Sequence, residues 1–116
     1  MTLEEFIEDS KRYSFGSRAH LDEPGFSTLY ARYTRRYVLG AWHRPVLDIA
    51  SIATPTPGAG LFTELFHRIR RNHPTLPIYV ESVLNDRFGR KLEMLGFTRV
   101  DLGPSPCYFL QPPTGT

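Results

Sequence analysis

The segment from Val46 to Val83 most restricts what this chain can become. "VLDIASIAT" (residues 46–54) is apolar on both faces apart from Asp48 and Ser51. A strand of that composition suits the middle of a sheet, covered on both sides. Beyond the turn-rich "PTPGAG", Leu61, Phe62, Leu65, Phe66 and Ile69 recur at helical spacing. The spacing predicts a helix over about 60–73, closed by Pro74 and Pro77. The β-branched "IYVESV" (78–83) reads as another strand. A strand–helix–strand unit around a central strand needs partners on either side.

The flanking sequence supplies them. Thr2 and Glu5 form a capping-box pattern, and Leu3, Phe6 and Ile7 make an apolar stripe, predicting a helix over about 2–13. "FGSRAHLDEPG" reads as loop. "FSTLYARY" and "RYVLGAW" read as an antiparallel pair turning at "TRR", with a second tight turn at "HRP". Asn85 is placed to cap a helix whose core face is Phe88, Leu92 and Leu95, and Gly96 stops it. "FTRV" and "CYFL" close the sheet, and residues 111–116 form a loose tail. The expectation is one α/β (α+β) domain over 1–116, a mixed, mostly antiparallel sheet flanked by helices.

Composition bounds the rest. With 116 residues, 41% of them hydrophobic, the chain can bury a core, and no apolar run reaches the roughly 20 residues of a membrane helix. The acidic start "MTLEEFIEDS" lacks the basic and apolar stretches of a secretory signal, and the lone Cys107 fits a reducing compartment, so a cytoplasmic protein is expected. The four histidines and one cysteine show no metal-ligand spacing, so no metal is expected. Net charge is +2, but arginines crowd the chain after its acidic first helix, a distribution that suits an anionic ligand or a solvated surface.

"TPTPGAGLFTEL" (54–65) carries the first chemical hint. A helix opening just after a central strand presents free N–H groups and the positive end of its dipole, a natural seat for phosphate. Gly58, Ala59, Gly60, Leu61 and Phe62 are the candidate donors. Many strand-to-helix turns contain glycine for conformational reasons alone.

Taken with "IYVESVLNDRFGRKLEMLGF" downstream, this stretch resembles the GCN5-related N-acetyltransferase superfamily over about 46–109. The resemblance implies that the glycine loop holds the pyrophosphate of acetyl-coenzyme A, that Ile52 and Ala53 pair with its pantetheine arm, and that the next strand splays away to leave a slot for the thioester and an amine. It places Gly60 at the central glycine, Asn85 at the asparagine after the fifth strand, and Gly96-Phe97 at the helix-ending pair. It also marks three departures: Pro57 where a side-chain donor is usual, Phe62 where a small residue is usual, and Leu92 where many members carry a tyrosine acid.

The implied activity is acetyl transfer to a primary amine of an unknown acceptor by direct attack on the thioester. An ammonium must first lose its proton. Glu81 and Asp48, acids inside apolar strands, are the candidate bases, because burial would raise their pKa values. Glu81 lies next to the implied slot, and Glu81 with Ser82 is the catalytic choice. Tyr79 and Tyr108 are further hydroxyls. Leu92 and Pro57 favour a rival reading: a coenzyme A-binding or protein-interaction module without turnover. A homodimer completing the acceptor pocket is a further expectation. Nucleic-acid binding through Arg32, Arg35 and Arg36 is disfavoured, since Tyr30, Tyr33 and Tyr37 read as sheet packing.

Overall fold

The structure, a computed structural model, describes residues 1–13, 16–55, 60–101 and 103–112. Its elements run α1 (Leu3–Ser10), β1 (Ser17–His20), β2 (Thr28–Val38), β3 (Ala41–Ala53), α2 (Leu61–Asn72), β4 (Ile78–Val80), α3 (Asp86–Met94), β5 (Thr98–Val100) and β6 (Cys107–Leu110). One six-stranded sheet has the order β1-β2-β3-β4-β6-β5. Every neighbouring pair is antiparallel except β3–β4, which is parallel and joined through α2. This is the mixed, mostly antiparallel α+β sheet that the hydrophobic pattern implies.

Local chemistry explains the helix ends. Thr2 Oγ1 accepts from the Glu5 N–H at 3.2 Å while the Thr2 N–H donates to Glu5 Oε1 at 2.9 Å, completing the capping box. Asn85 Oδ1 accepts from the N–H groups of Arg87 and Phe88 at 2.9 and 3.2 Å. Gly96 adopts φ 103°, its N–H reaching Glu93 O and the Phe97 N–H reaching Leu92 O, each at 3.0 Å. That paired closure needs a residue free of the left-handed penalty.

All three helices feed one core. Leu3, Phe6 and Ile7 of α1, Phe62, Leu65, Phe66 and Ile69 of α2, and Leu92 of α3 pack with Leu29, Leu47, Ile49, Ile78 and Val80 of the sheet. The other face of the sheet carries a smaller cluster of Val38, Val46, Tyr79, Val100 and Phe109. Val46, Leu47, Asp48 and Ile49 are consecutively buried because β3 is covered on both faces there.

The first half of the sheet differs from expectation in three places. "TRR" is not a turn: β2 runs through it to Val38, and the chain reverses at Leu39-Gly40. Both residues have positive φ, 52° and 85°, as a two-residue primed turn requires. Leucine is a poor signal for that conformation. "HRP" is likewise inside β3, where the register with β2 shifts between Thr34 and Arg36. The expected loop contains β1, an edge strand that pairs Ser17 with Tyr33 and His20 with Tyr30. At the N-terminus, α1 closes at Ser10, three residues short of the expected end.

Candidate functional site

The parallel ladder between β3 and β4 is short. Leu47, Asp48 and Ile49 pair with Ile78, Tyr79 and Val80, and the Glu81 N–H makes a further bond to Ile49 O at 3.0 Å. β3 then continues to Ala53 beside β2, while β4 has ended at Val80. The chain leaves β4 through Ser82, a non-glycine residue at φ 52°, and the Val83 N–H bonds Pro106 O instead. The two parallel strands therefore part company, leaving a gap beside Ala50–Ala53.

Two features shape the β3 edge of this gap. The pairing with β2 passes from Ile49↔Ala31 to Ser51↔Tyr30, so Ala50 is an extra residue, a bulge of the kind that ends pairing and re-aims a strand. Ile52 faces Leu29, whose C=O accepts from Leu21 on the far side, while Ala53 O accepts from the Ser27 N–H. Antiparallel alternation then turns the Ile52 N–H and C=O away from β2, towards the gap. Ala53 is turned the other way. Of the two strand residues expected to face a ligand with their backbone, Ile52 does so and Ala53 does not.

The N-terminus of α2 stands at the same end of the sheet. Gly60 is its N-cap at φ 76°, and no side chain caps the helix, unlike α1 and α3. The leading N–H groups, including those of Leu61 and Phe62, are left without a side-chain acceptor. Thr63 Oγ1, in the same first turn, is buried with no partner among the described residues. Gly58 and Ala59 lie outside the described residues, as does Pro57. The Phe62 side chain is buried against Phe88, ring centroids 5.1 Å apart, so its bulk fills the core and does not narrow the gap. Asn85 spends its carbonyl oxygen capping α3.

Glu81 sits where the strands separate, and its carboxylate lies on the sheet face opposite the helices. Arg36 reaches Glu81 at 3.0 Å and Asp48 at 3.1 Å, while Arg32 reaches Glu81 at 3.3 Å and Asp48 at 3.9 Å. The guanidinium of Arg36 also lies 4.1 Å from the Tyr79 ring centroid. Asp48 is fully buried, and its Oδ1 has no donor among the described residues. Burial, followed by the neighbouring Glu81, pushes the Asp48 carboxyl up to about 7. The Glu81 carboxyl moves the other way: burial acts to raise it, but Asp48 and the two arginines together hold it below its usual range. The two acids thus share one proton, and it rests on Asp48. This corrects the expectation that burial raises both. The residue that holds a proton near neutrality is Asp48, with Glu81 as its ionised partner.

The remaining hydroxyls divide between the faces. Tyr79 lies in the cluster opposite the helices, and burial pushes its phenol upward. Tyr108 lies in the main core, its hydroxyl so close to Gly89 of α3 that a Cβ there would collide with it. Leu92 is fully buried core, with no acidic proton to give. His43 packs against Phe109 at 4.8 Å between centroids, and His67 is exposed on α2. Among the described residues no cluster of His, Cys, Asp and Glu could hold a metal. No helix there is long and apolar enough to cross a membrane.

Comparison with known proteins yields a fold and no family. No family model matches the chain, and no curated protein matches it. A solved structure described as "The crystal structure of KacTA-DNA complex" is similar, with TM-score 0.50 and 18% identity over 94% of this chain and 78% of that one. The superfamily assignment drawn from residues 46–109 does not stand: the similar structure is described as a DNA complex, and no family model or curated protein supports the assignment. The expectation that nucleic acid is disfavoured finds no support in that description. At 18% identity the likeness carries the fold alone.

Proposed function

We propose that the gap between β3 and β4 binds acetyl-coenzyme A and that the chain transfers its acetyl group to a primary amine. The observation that carries this reading is the parting of two parallel strands beyond Ile49, with the Ile52 amide turned away from β2 towards the gap and a helix N-terminus without a side-chain cap at the same end. The N–H groups of Leu61 and Phe62, with the Thr63 hydroxyl, would hold the pyrophosphate. The backbone of Ile52 would pair with the amides of the pantetheine arm. The bound thioester supplies an activated acetyl group.

The acceptor reaches the gap as an ammonium and must be deprotonated. Glu81, at the last rung of the ladder, is placed to attract the cation and, as the ionised carboxylate of the pair, to accept its proton; Asp48 behind it already holds one. Arg32 and Arg36 keep Glu81 oriented and ionised. Ser82, at the point of separation, is the hydroxyl nearest in sequence to this pair. The half-buried Cys107 is consistent with a reducing compartment, and we place the protein in the cytoplasm.

A second reading keeps the ligand and drops the chemistry. Leu92 in the core supplies no acid to the departing thiolate, which favours a coenzyme A-binding module that acts by contact. Release of free thiol from acetyl-coenzyme A in the presence of a panel of primary amines separates the two. Amine-dependent release supports transfer, whereas a thermal shift with coenzyme A and no release leaves the module.

A further inference from the structure

The β2–β3 hairpin reaches well beyond its neighbours. β1 pairs with β2 only as far as Tyr33, and β4 begins on β3 only at Leu47. From Thr34 to Pro45 the two strands form a ribbon, with only each other as ladder partners among the described residues. The faces of this ribbon differ sharply. One face carries Arg36 and His43, both already engaged, Arg36 with Asp48 and Glu81 and His43 with Phe109.

The other face is cationic and aromatic. Tyr37 lies opposite Trp42, with ring centroids 5.5 Å apart, and the Arg35 guanidinium stands 5.3 Å from the Trp42 centroid. Tyr37 is 56% exposed and Trp42 65%, unusual for large aromatics. Below them a cavity of about 410 Å³ is walled by Tyr13, Tyr33, Thr34, Arg35 and Arg44, with no carboxylate among the described residues that line it. That volume falls within the range of small-molecule sites and accommodates one nucleotide unit. Of the three arginines that the sequence brings to β2, Arg32 and Arg36 are committed to carboxylates. Arg35 has no carboxylate partner among the described residues.

We propose that this ribbon face binds single-stranded nucleic acid, with a phosphate on Arg35 and bases stacked on Trp42 and Tyr37. Arginines interleaved with exposed rings are what a strand with unpaired bases requires. Ring faces offer no reading of a base pair's edge, so a duplex gains only the phosphate contacts. A second copy docked by two-fold symmetry would set the same cationic patch against itself. The occupant the charge calls for is an anion with flat rings. This proposal does not depend on the reading of the β3–β4 gap.

Trp42 is the chain's one tryptophan, so its emission reports this face directly. The test is titration with fluorescently labelled oligothymidylate of about twelve nucleotides at about 50 mM salt, following tryptophan quenching and label anisotropy. Saturable quenching is expected, with weaker binding of duplex DNA of the same length. Arg35→Ala should weaken binding and flatten the log–log salt slope by about 0.7, the value of one phosphate contact on a single strand. Trp42→Ala, read by anisotropy, should cost about tenfold or more through lost stacking. Both positions are exposed, so circular dichroism should show an unchanged fold. Three results would overturn the proposal: no quenching up to about 1 mM oligonucleotide, a salt slope unchanged in Arg35→Ala, or emission that shifts with protein concentration alone, which assigns the face to a second copy.

Discussion

Replacing Asp48 by asparagine probes the proton that the buried pair shares. Asp48 is fully buried, and its carboxyl rises from 3.8 to about 7. An acid raised in this way keeps its proton longer in the folded chain than in the unfolded one. Between about pH 4 and about pH 7 the folded state therefore binds more protons, and stability falls as pH rises. The shift of about 3 units, at 1.36 kcal/mol each, puts the cost of ionising Asp48 in place at about 4 kcal/mol. Of this, the part lost between pH 5 and pH 7 is about 2 units, or about 3 kcal/mol. An asparagine in place of Asp48 would have the shape of the protonated acid and an N–H of its own for Glu81, and it has no proton to lose. The Tm advantage of Asp48→Asn over the wild type should grow by about 10 °C from pH 5 to pH 8, at roughly 4 °C per kcal/mol for a chain of this size. The assay is thermal unfolding by circular dichroism from pH 5 to pH 8. His73 and the groups remote from the pair contribute alike to both proteins, so the difference reports Asp48 together with the adjacent Glu81. A wild-type Tm that does not fall relative to the variant over this range, or a variant destabilised equally at both ends, would refute the shared proton.

Further outcomes follow from the same geometry. Glu81→Gln should lower amine-dependent thiol release by at least tenfold and leave coenzyme A affinity within about threefold, measured by thiol trapping and calorimetry, because a positioned acid–base group contributes about 10² or more to rate. Gly89→Ala should destabilise by about 1–3 kcal/mol through collision with the Tyr108 hydroxyl, and Tyr108→Phe in the same chain should recover part of it, as read by urea unfolding. Asn85→Ala should cost about 1 kcal/mol by removing the cap of α3, with amide exchange speeding up first at Arg87 and Phe88.

What was legible in the sequence is what a hydrophobic period or a cap specifies. The double-faced run at Val46–Ile49, the α2 stripe, the Thr2–Glu5 box, the Asn85 cap and the Gly96 stop are local statements, and the fold realises each of them. The hairpin was not legible, because Leu39 occupies a positive-φ position that side-chain chemistry does not advertise, while "TRR" and "HRP" look like turns but are held extended by cross-strand pairing. Edge strand β1 was missed because four residues of alternating half-burial carry no period longer than a loop's noise. At the candidate site, Glu81 and Asp48 were visible as acids in apolar strands. Which of them keeps the proton depends on Arg32 and Arg36, brought in from β2 by tertiary pairing. Ile52 and Ala53 could be told apart only by the register around Ala50.

The measurement that bears most directly on the proposed ligand is calorimetric titration of coenzyme A into three proteins: the wild type, Gly60→Asn and Gly60→Asp. Gly60 holds φ 76° with open space around a Cβ, and both replacements tolerate that conformation better than other side chains do. They have the same shape and differ in charge at the α2 N-terminus. If the pyrophosphate sits there, the wild type and Gly60→Asn bind coenzyme A and Gly60→Asp loses at least tenfold in affinity. Equal affinity for the two variants, or no binding by the wild type at about 1 mM ligand, would contradict the assignment of the gap.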